Sequence, residues 1–128
     1  ALTILGEARG EGEKGMYAVA CVIRKRAVQM ANKLGAYPHA NVCLQRKQFS
    51  TWNGIEKESE LYYLWKSKST PYARKIARIV CGNSSMRDTT KGADHFHSTK
   101  MKKPPYWTKG HKPTVIIGNH AFYNLRRK

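Results

Sequence analysis

The segment GEARGEGEKG, residues 6–15, holds three carboxylates and four glycines. The chain of 128 residues has only eight acidic residues against 24 Lys and Arg, so this concentration of acid is unusual. A general acid must stay protonated near neutral pH, and burial against apolar residues at a helix end raises the pKa of a glutamate towards that range. Glu7 follows the apolar residues Leu2, Ile4 and Leu5. We therefore predict that Glu7 acts as a general acid.

We expect different roles for the other two glutamates of this segment, Glu11 and Glu13. Glu11 would share a helix face with Glu7 if the turn continued through Gly10. We predict a supporting role for Glu11, which would orient Arg9 or a loop backbone, or order the floor of a groove. The alternative, which we prefer for Glu13, is an acid in the first turn of the next helix, where it complements the helix dipole.

Two imidazoles, His95 and His97, lie in the stretch GADHFHS. The alternation of apolar and polar residues there predicts a strand, so both rings would be on the same side. A metal site would need a third ligand, for which His111, His120 and Asp94 are candidates. We favour two histidines that face a pocket and form hydrogen bonds over a zinc site, because the sequence has neither an HExxH motif nor a Cys pair. We expect neither a metal nor another cofactor.

The elements that must position these residues are mostly helical. Apolar residues recur at helical spacing over residues 16–30, which predicts a helix from about Glu13 to Leu34 with the basic residues 24–26 towards solvent. Pro71 at a first helical position after Thr70, with a glycine to end the helix, predicts another over residues 71–81. Further expectations are short helices over residues 1–9 and 56–67 and a loop over residues 35–54.

The end of the chain has a different character. GADHFHS and TVIIGNHAFYN alternate as half-buried strands do, and the tandem prolines between them, Pro104 and Pro105, predict an extended loop. The predicted fold class is therefore α+β, mainly α, with a small β element near the C-terminus. At this length we expect one catalytic domain over residues 1–128.

The formal net charge of +16 implies attraction to a polyanion. Basic clusters lie at residues 24–26, 100–103 and 126–128. The candidate partners are nucleic acid, an acidic membrane surface and an anionic cell envelope. Binding of this kind weakens as salt rises. An apolar content of 41% with 25% charged residues is typical of a globular protein and argues against disorder.

The three cysteines form no CxxC pair, so they indicate neither a disulfide framework nor a zinc ribbon. Cys21 lies in the apolar run YAVACVI and is expected to be a small buried hydrophobe, whereas a bridge between Cys43 and Cys81 stays open. That run is far shorter than a membrane-spanning helix, and the sequence starting at Ala1 shows no basic-then-apolar leader. We expect a monomer without a transmembrane segment.

Several stretches, read in order, carry a family resemblance. GEARGEGEKG, YAVACVIRKR, QFSTW, GADHFH, PPYW and IGNHAFYN together resemble the SleB/CwlJ-type cell-wall hydrolases, which include spore cortex-lytic enzymes and related phage endolysins. The similarity runs from Gly6 to Asn124. It implies a lysozyme-like, mainly α fold and cleavage of peptidoglycan between N-acetylmuramic acid and N-acetylglucosamine. The catalytic glutamate of the family falls on Glu7, and the second glutamate of its motif on Glu11.

Within this resemblance, polar and aromatic residues are candidates for a sugar site. Amides and hydroxyls would bond the N-acetyl group, and rings would stack on the pyranose face. The stretch QFSTW supplies Phe49 as an expected core residue and leaves the role of Trp52 undecided. The hydroxyl of Tyr123, in the terminal motif, would bond Glu7 or substrate, unless Tyr123 is a plain core residue. The residues predicted to support or bind substrate are Glu11, Gln48, Ser50, Trp52, His95, His97, Tyr106, Trp107 and Tyr123, with Tyr106 and Trp107 as one wall of the cleft.

The reaction has two versions. Hydrolysis by two carboxylates needs a partner acid about 5–5.5 Å away for retention or about 6.5–9.5 Å for inversion, and Asp94 is the candidate. Without a partner, Glu7 would first protonate the leaving oxygen and then take the proton from the 6-hydroxyl of the muramic acid, which closes a 1,6-anhydro ring. We favour this lytic transglycosylase version, as typical of the family.

The expected partners are peptidoglycan glycan strands and, through the basic surface, anionic envelope polymers such as teichoic acid or lipopolysaccharide. The enzyme would act at the bacterial cell wall, either as a secreted protein or as a phage endolysin released from the host cytoplasm. A rival hypothesis is a basic nucleic-acid-binding domain. It explains the charge, but a carboxylate cluster would repel phosphates.

Overall fold

The computed structural model describes residues 1–30, 38–45, 49–82 and 86–126. Its α-helices are α1 (Leu2–Ala8), α2 (Gly12–Gln29), α3 (Pro38–Leu44) and α4 (Thr70–Cys81). Short 3₁₀ helices cover Arg9–Glu11, Ser50–Trp52, Glu58–Lys66 and Tyr106–Thr108. The strands are β1 (His95–Ser98), β2 (Val115–Ile117) and β3 (His120–Tyr123). This confirms the predicted α+β, mainly α architecture with its β element near the C-terminus.

Helix α2 is the centre of the packing, and α1, α3 and α4 all contact it. Its residues at helical spacing, Met16, Val19, Ile23 and Ala27, are each at most 4% exposed, as the apolar pattern predicts. Burial of one large apolar side chain contributes roughly 1.5–3 kcal/mol, so this face holds the helical half together. The chain enters α2 through Gly12, whose φ of 74° favours glycine.

Two expectations about α2 are wrong. The helix ends at Gln29, because Met30 already has a non-helical backbone with φ −114° and ψ 14°, and the rest of the predicted C-terminal turn lies outside the described residues. Arg26, expected towards solvent, is only 8% exposed. Its guanidinium lies 5.6 Å from the ring centroid of Phe49 and bonds the side-chain oxygen of Gln45 at 3.4 Å, so the long side chain covers the core.

The segment predicted as a loop over residues 35–54 contains α3 and the 3₁₀ turn Ser50–Trp52. Of the seven residues of α3, Val42 is the buried one, which leaves too little periodicity for a sequence pattern to reveal. The predicted helix over 56–67 is a 3₁₀ helix, Glu58–Lys66. At its start a carboxylate oxygen of Glu60 accepts the backbone N–H groups of Glu56 and Lys57.

The three strands form an antiparallel sheet in the order β1-β3-β2. Phe96 pairs with Phe122 across β1 and β3, and Phe122 is fully buried against Ala18 and Val22 of α2. Phe96 also contacts Phe49 from the helical side, with 6.2 Å between the ring centroids. The sheet is thus joined to the helical half through aromatic packing. Both predicted strand regions are confirmed.

The cysteines are free, with Cys21 buried as predicted and Cys43 and Cys81 unbridged. No helix in the described part of the chain has the length and apolar character required to span a membrane.

Candidate active site

Glu7 lies in the last turn of α1 and faces the 3₁₀ turn Ser50–Trp52. Its Oε2 accepts hydrogen bonds from the Ser50 hydroxyl at 3.0 Å, from the Thr51 backbone N–H at 3.1 Å and from the Thr51 hydroxyl at 2.5 Å. The apolar residues before Glu7 are buried, but the carboxylate itself meets polar donors, so the expected apolar setting is wrong for this group. The three donors hold the half-buried side chain in one orientation.

The approach of the two segments depends on Gly6. A side-chain carbon added at this position would overlap the Thr51 side chain. The glycine therefore lets the turn that carries Ser50 and Thr51 lie directly against α1. Gly10, in contrast, has open space where a side chain would be.

Glu11 makes a different set of contacts from Glu7. Its Oε1 accepts the backbone N–H of Asn119 at 3.1 Å, and its Oε2 accepts the Asn119 side-chain amide at 3.2 Å. Asn119 belongs to the turn between β2 and β3, so Glu11 fastens this turn to the junction of α1 and α2. A side-chain carbon added at Gly118 would be 3.1 Å from Glu11 Oε2. Contact with a loop backbone is one of the arrangements that the sequence suggested for Glu11.

The two glutamates line one open cleft of about 330 Å³. Residues from the α1–α2 junction and from the β side form its walls. They are Gly6, Glu7, Arg9, Gly10, Glu11, Lys100 and Asn119.

Four rings pack together on the outer face of the sheet. The ring of His97 is stacked on Tyr123 with its Nε2 3.1 Å from the Tyr123 hydroxyl, and Trp107 meets both rings at centroid distances of 5.8 and 5.2 Å. His95 also contacts Trp107, at 5.2 Å, so the two histidines share a side as predicted. Tyr123 is 7% exposed, and its hydroxyl pairs with His97 rather than Glu7. Tyr106 is 91% exposed next to this cluster.

Trp52, a predicted substrate contact, does not line this cleft. The Trp52 indole N–H donates to the Thr3 hydroxyl at 2.7 Å, and its ring lines a separate cleft of about 530 Å³ with Trp65. Phe49 is a core residue, as expected, with 1% exposure. Gln48 lies outside the described residues.

Asp94 is not available as the partner carboxylate. It is 2% exposed and accepts hydrogen bonds from the His95 ring at 2.9 Å, the Leu125 backbone N–H at 3.0 Å and the Gln29 side chain at 3.4 Å. Burial raises the pKa of Asp94, but these hydrogen bonds outweigh burial and lower the pKa below its usual value. Asp94 therefore joins the end of the sheet to Gln29 of α2 and to the backbone of Leu125. Within the described ranges, no three His, Cys, Asp or Glu side chains are grouped to hold a metal.

His120 is a residue of the site region that the sequence suggested only as a metal ligand. It is 7% exposed on β3, its ring lies 5.1 Å from that of Phe96, and its Nδ1 has no hydrogen-bond partner among the described residues. Burial lowers the pKa of His120; the negative charges of Glu11 and Glu7 raise it, and His97 lowers it further. The imidazole is thus favoured in its neutral form beside the two carboxylates.

Sequence reasoning also missed Thr51, Asn119 and Lys100. Thr51 and Asn119 lie inside the quoted stretches QFSTW and IGNHAFYN, so the signal was present without an assigned partner. In the sequence, Lys100 stands out only as part of the basic cluster at residues 100–103.

The sequence profile of the family described as Cell Wall Hydrolase matches residues 10–123, most of the chain. The chain belongs to this family. The match includes Glu11, the sheet and the aromatic cluster, and it begins three residues after Glu7. The expectation of a family of cell-wall hydrolases is confirmed. Among curated proteins, none matches the sequence.

Two solved structures have the same fold as this cell wall hydrolase. The catalytic domain of the germination-specific lytic transglycosylase SleB from Bacillus anthracis has 19% identity and a TM-score of 0.65, covering 96% of this chain and 88% of that one. The catalytic domain of the Bacillus cereus SleB protein has 19% identity and a TM-score of 0.63, covering 95% and 84%. At this identity the likeness concerns the fold, and it confirms the lysozyme-like, SleB-type architecture.

Proposed function

We propose that this enzyme is a peptidoglycan lytic transglycosylase that cleaves the β-1,4 bond between N-acetylmuramic acid and N-acetylglucosamine, with Glu7 as its acid and base. One observation carries the proposal. Glu7 is held in the cleft through Oε2 alone, and no hydrogen bond to its Oε1 occurs among the described residues. One carboxylate oxygen is therefore left for proton transfer to and from a substrate.

The chemistry needs one carboxyl group. Protonated Glu7 gives its proton to the glycosidic oxygen, the bond from this oxygen to the muramic C1 breaks, and the N-acetylglucosamine fragment leaves with a free 4-hydroxyl. The muramic 6-hydroxyl then attacks C1 while the Glu7 carboxylate takes its proton. The product carries a 1,6-anhydro ring, no water is consumed, and Glu7 is protonated again for the next turnover.

The state of the other acids supports this version over two-carboxylate hydrolysis. Both oxygens of Glu11 are occupied by Asn119, and Asp94 is buried among its own donors. A hydrolytic muramidase remains the alternative within the same chemistry, since Glu11 lines the same cleft as Glu7. It would need Glu11 to release Asn119 and activate a water molecule.

The basic surface would bring the enzyme to its substrate. A charge of +16 favours association with anionic polymers of the cell envelope, so we propose action at the bacterial cell wall, after secretion or after release of a phage endolysin. Added salt should then weaken binding to intact walls. A nucleic-acid-binding domain would show salt-sensitive DNA binding without any release of wall fragments.

The test is digestion of purified peptidoglycan with analysis of the fragments by mass spectrometry. We expect fragments with 1,6-anhydromuramic ends, and we expect Glu7→Gln to lower the rate by at least about 100-fold, since removal of a general acid has effects of this size. Glu13→Gln is the matched control, because Glu13 is an exposed carboxylate of the same segment. Wild-type rates in Glu7→Gln, or no fragments from the wild type, would overturn the proposal.

A further inference from the structure

Two cations line the Glu7 cleft without a carboxylate partner. Arg9 and Lys100 are exposed, and neither forms an ion pair within the described parts of the chain, although Glu7 and Glu11 line the same cleft. Their charge is therefore available to a bound molecule. A neutral sugar gives no reason for two cations beside two carboxylates.

The backbone at Lys100 is fastened to the rest of the cleft. Its N–H donates to the Ser98 hydroxyl at 3.2 Å, and the preceding residue, Thr99, donates from its N–H at 2.8 Å and its hydroxyl at 3.2 Å to the Asn119 carbonyl. Asn119 is itself held by Glu11. A chain of hydrogen bonds thus fixes where the Lys100 side chain leaves the backbone, at the edge of the cleft.

Arg9 is fixed from the helical side. It begins the 3₁₀ turn Arg9–Glu11, and its carbonyl accepts a hydrogen bond from the Ser69 hydroxyl at 3.1 Å. The two cations therefore come from different segments, one at the end of α1 and one after β1, and both border the cleft that holds Glu7.

We propose that Arg9 and Lys100 form a subsite for a carboxylate carried by the muramic acid residue at the point of cleavage. This inference rests on the proposed function and adds which substituent the site recognises. An anionic substituent that approaches Glu7 and Glu11 would be repelled, and two nearby cations offset this repulsion. The carboxylate has two sources: the free lactyl group of a peptide-free muramic acid, or the stem peptide attached to that group.

Three soluble glycan substrates separate these sources. The first carries stem peptides, the second has been stripped of them by an amidase and exposes lactyl carboxylates, and the third is the stripped glycan with those carboxylates amidated. We expect Lys100→Ala and Arg9→Ala each to raise KM about three- to tenfold on a recognised charged glycan, and to leave KM unchanged on the amidated glycan. The value of kcat should change little, because the contact is made in the ground state as well as in the transition state.

The matched controls are Lys75→Ala and Arg78→Ala. Both residues are exposed on α4, so each substitution removes one positive charge outside the cleft. A rise in KM on peptide-bearing strands alone assigns the carboxylate to the peptide, and a rise on stripped strands alone assigns it to the lactyl group. A rise on both means that the subsite accepts either. Equal effects on all three glycans, no effect on any, or equal effects of the control variants would overturn the inference.

The failure of this inference is distinguishable from failure of the proposed function. If the wild type releases no fragments from any of the three glycans, the proposed function is wrong. If it releases fragments and the variants do not discriminate between charged and amidated glycan, the carboxylate subsite alone is wrong.

Discussion

The helical wall of the cleft (the turn Ser50–Trp52) and its β wall (Thr99, Lys100 and Asn119) each hold one glutamate, and they hold it in different ways. On the helical side, Ser50 and Thr51 bind a single oxygen of Glu7 and leave the other without a partner among the described residues. On the β side, Asn119 occupies both oxygens of Glu11. The same residue type, four positions apart, thus has one oxygen bound by the helical side in the first case, and both oxygens used to join two segments in the second.

The position of the helical wall against α1 depends on Gly6. We expect Gly6→Ala to lower the free energy of unfolding by about 1–3 kcal/mol, because the new methyl group overlaps the Thr51 side chain. Denaturant unfolding measures this effect. Gly10→Ala, where the space is open, should stay within about 0.5 kcal/mol of the wild type. Equal stability of the two variants would show that the Ser50–Trp52 turn does not need Gly6.

The contact between Glu11 and the β wall is tested by removal of the Glu11 carboxylate. Glu11→Ala leaves two donors of Asn119 without acceptors, so we expect a loss of stability of about 1–2 kcal/mol. Activity of the folded variant should fall much less than in Glu7→Gln. Rate measurements well below the melting temperature check this, with Glu13→Ala as the exposed control. A rate as low as that of Glu7→Gln would give Glu11 a chemical role.

Removal of the Thr51 hydroxyl from the helical wall should have a smaller effect. We expect Thr51→Val, which keeps the shape and the backbone N–H but removes the hydroxyl donor, to lower kcat about three- to tenfold through a less well oriented Glu7. Thr99→Val, which removes a hydroxyl from the β wall, is the comparison and should leave kcat within about twofold. A Thr51→Val enzyme with full kcat would mean that the hydroxyl does not orient Glu7.

The smallest expected effect is the contribution of His120, on β3, to the pH dependence of stability. The folded protein keeps the pKa of His120 below its ordinary value near 6.5, whereas the unfolded chain does not. As pH falls below about 6.5, the unfolded state therefore takes up a proton that the folded state resists, and stability decreases. We expect the melting temperature to fall more between pH 7 and pH 5 in the wild type than in His120→Asn. His111→Asn, at an exposed position, should keep the wild-type slope, and a wild-type slope in His120→Asn would contradict the assignment.

The fold was predictable where residues close together in the sequence determine the structure. The period of the buried face of α2, the proline near the start of α4 and the alternation in β1 and β3 are all readable from neighbouring residues. The end of α2, the existence of α3 and the burial of Arg26 depend on contacts with distant segments. Arg26, for example, packs its guanidinium over the ring of Phe49, 23 positions away in the sequence.

The sequence singles out Glu7 and Glu11, which both line the cleft, but it does not show their contacts. Glu7 and Glu11 look alike in sequence, and their partners lie 44 and 108 residues away. No periodicity could show that one would keep an oxygen free and the other would not. In the sequence, Asp94 is the candidate partner acid for hydrolysis because it adjoins two histidines, yet the hydrogen bond from His95 is one of the contacts that hold it in its buried position.

We propose that Glu7 alone completes the reaction without water. Digestion of peptidoglycan in water enriched in ¹⁸O, with mass spectrometry of the newly formed muramic ends, distinguishes this reaction from hydrolysis. We expect 1,6-anhydro ends that contain no ¹⁸O. Reducing ends that each carry one ¹⁸O atom would contradict it and would assign the enzyme to two-carboxylate hydrolysis.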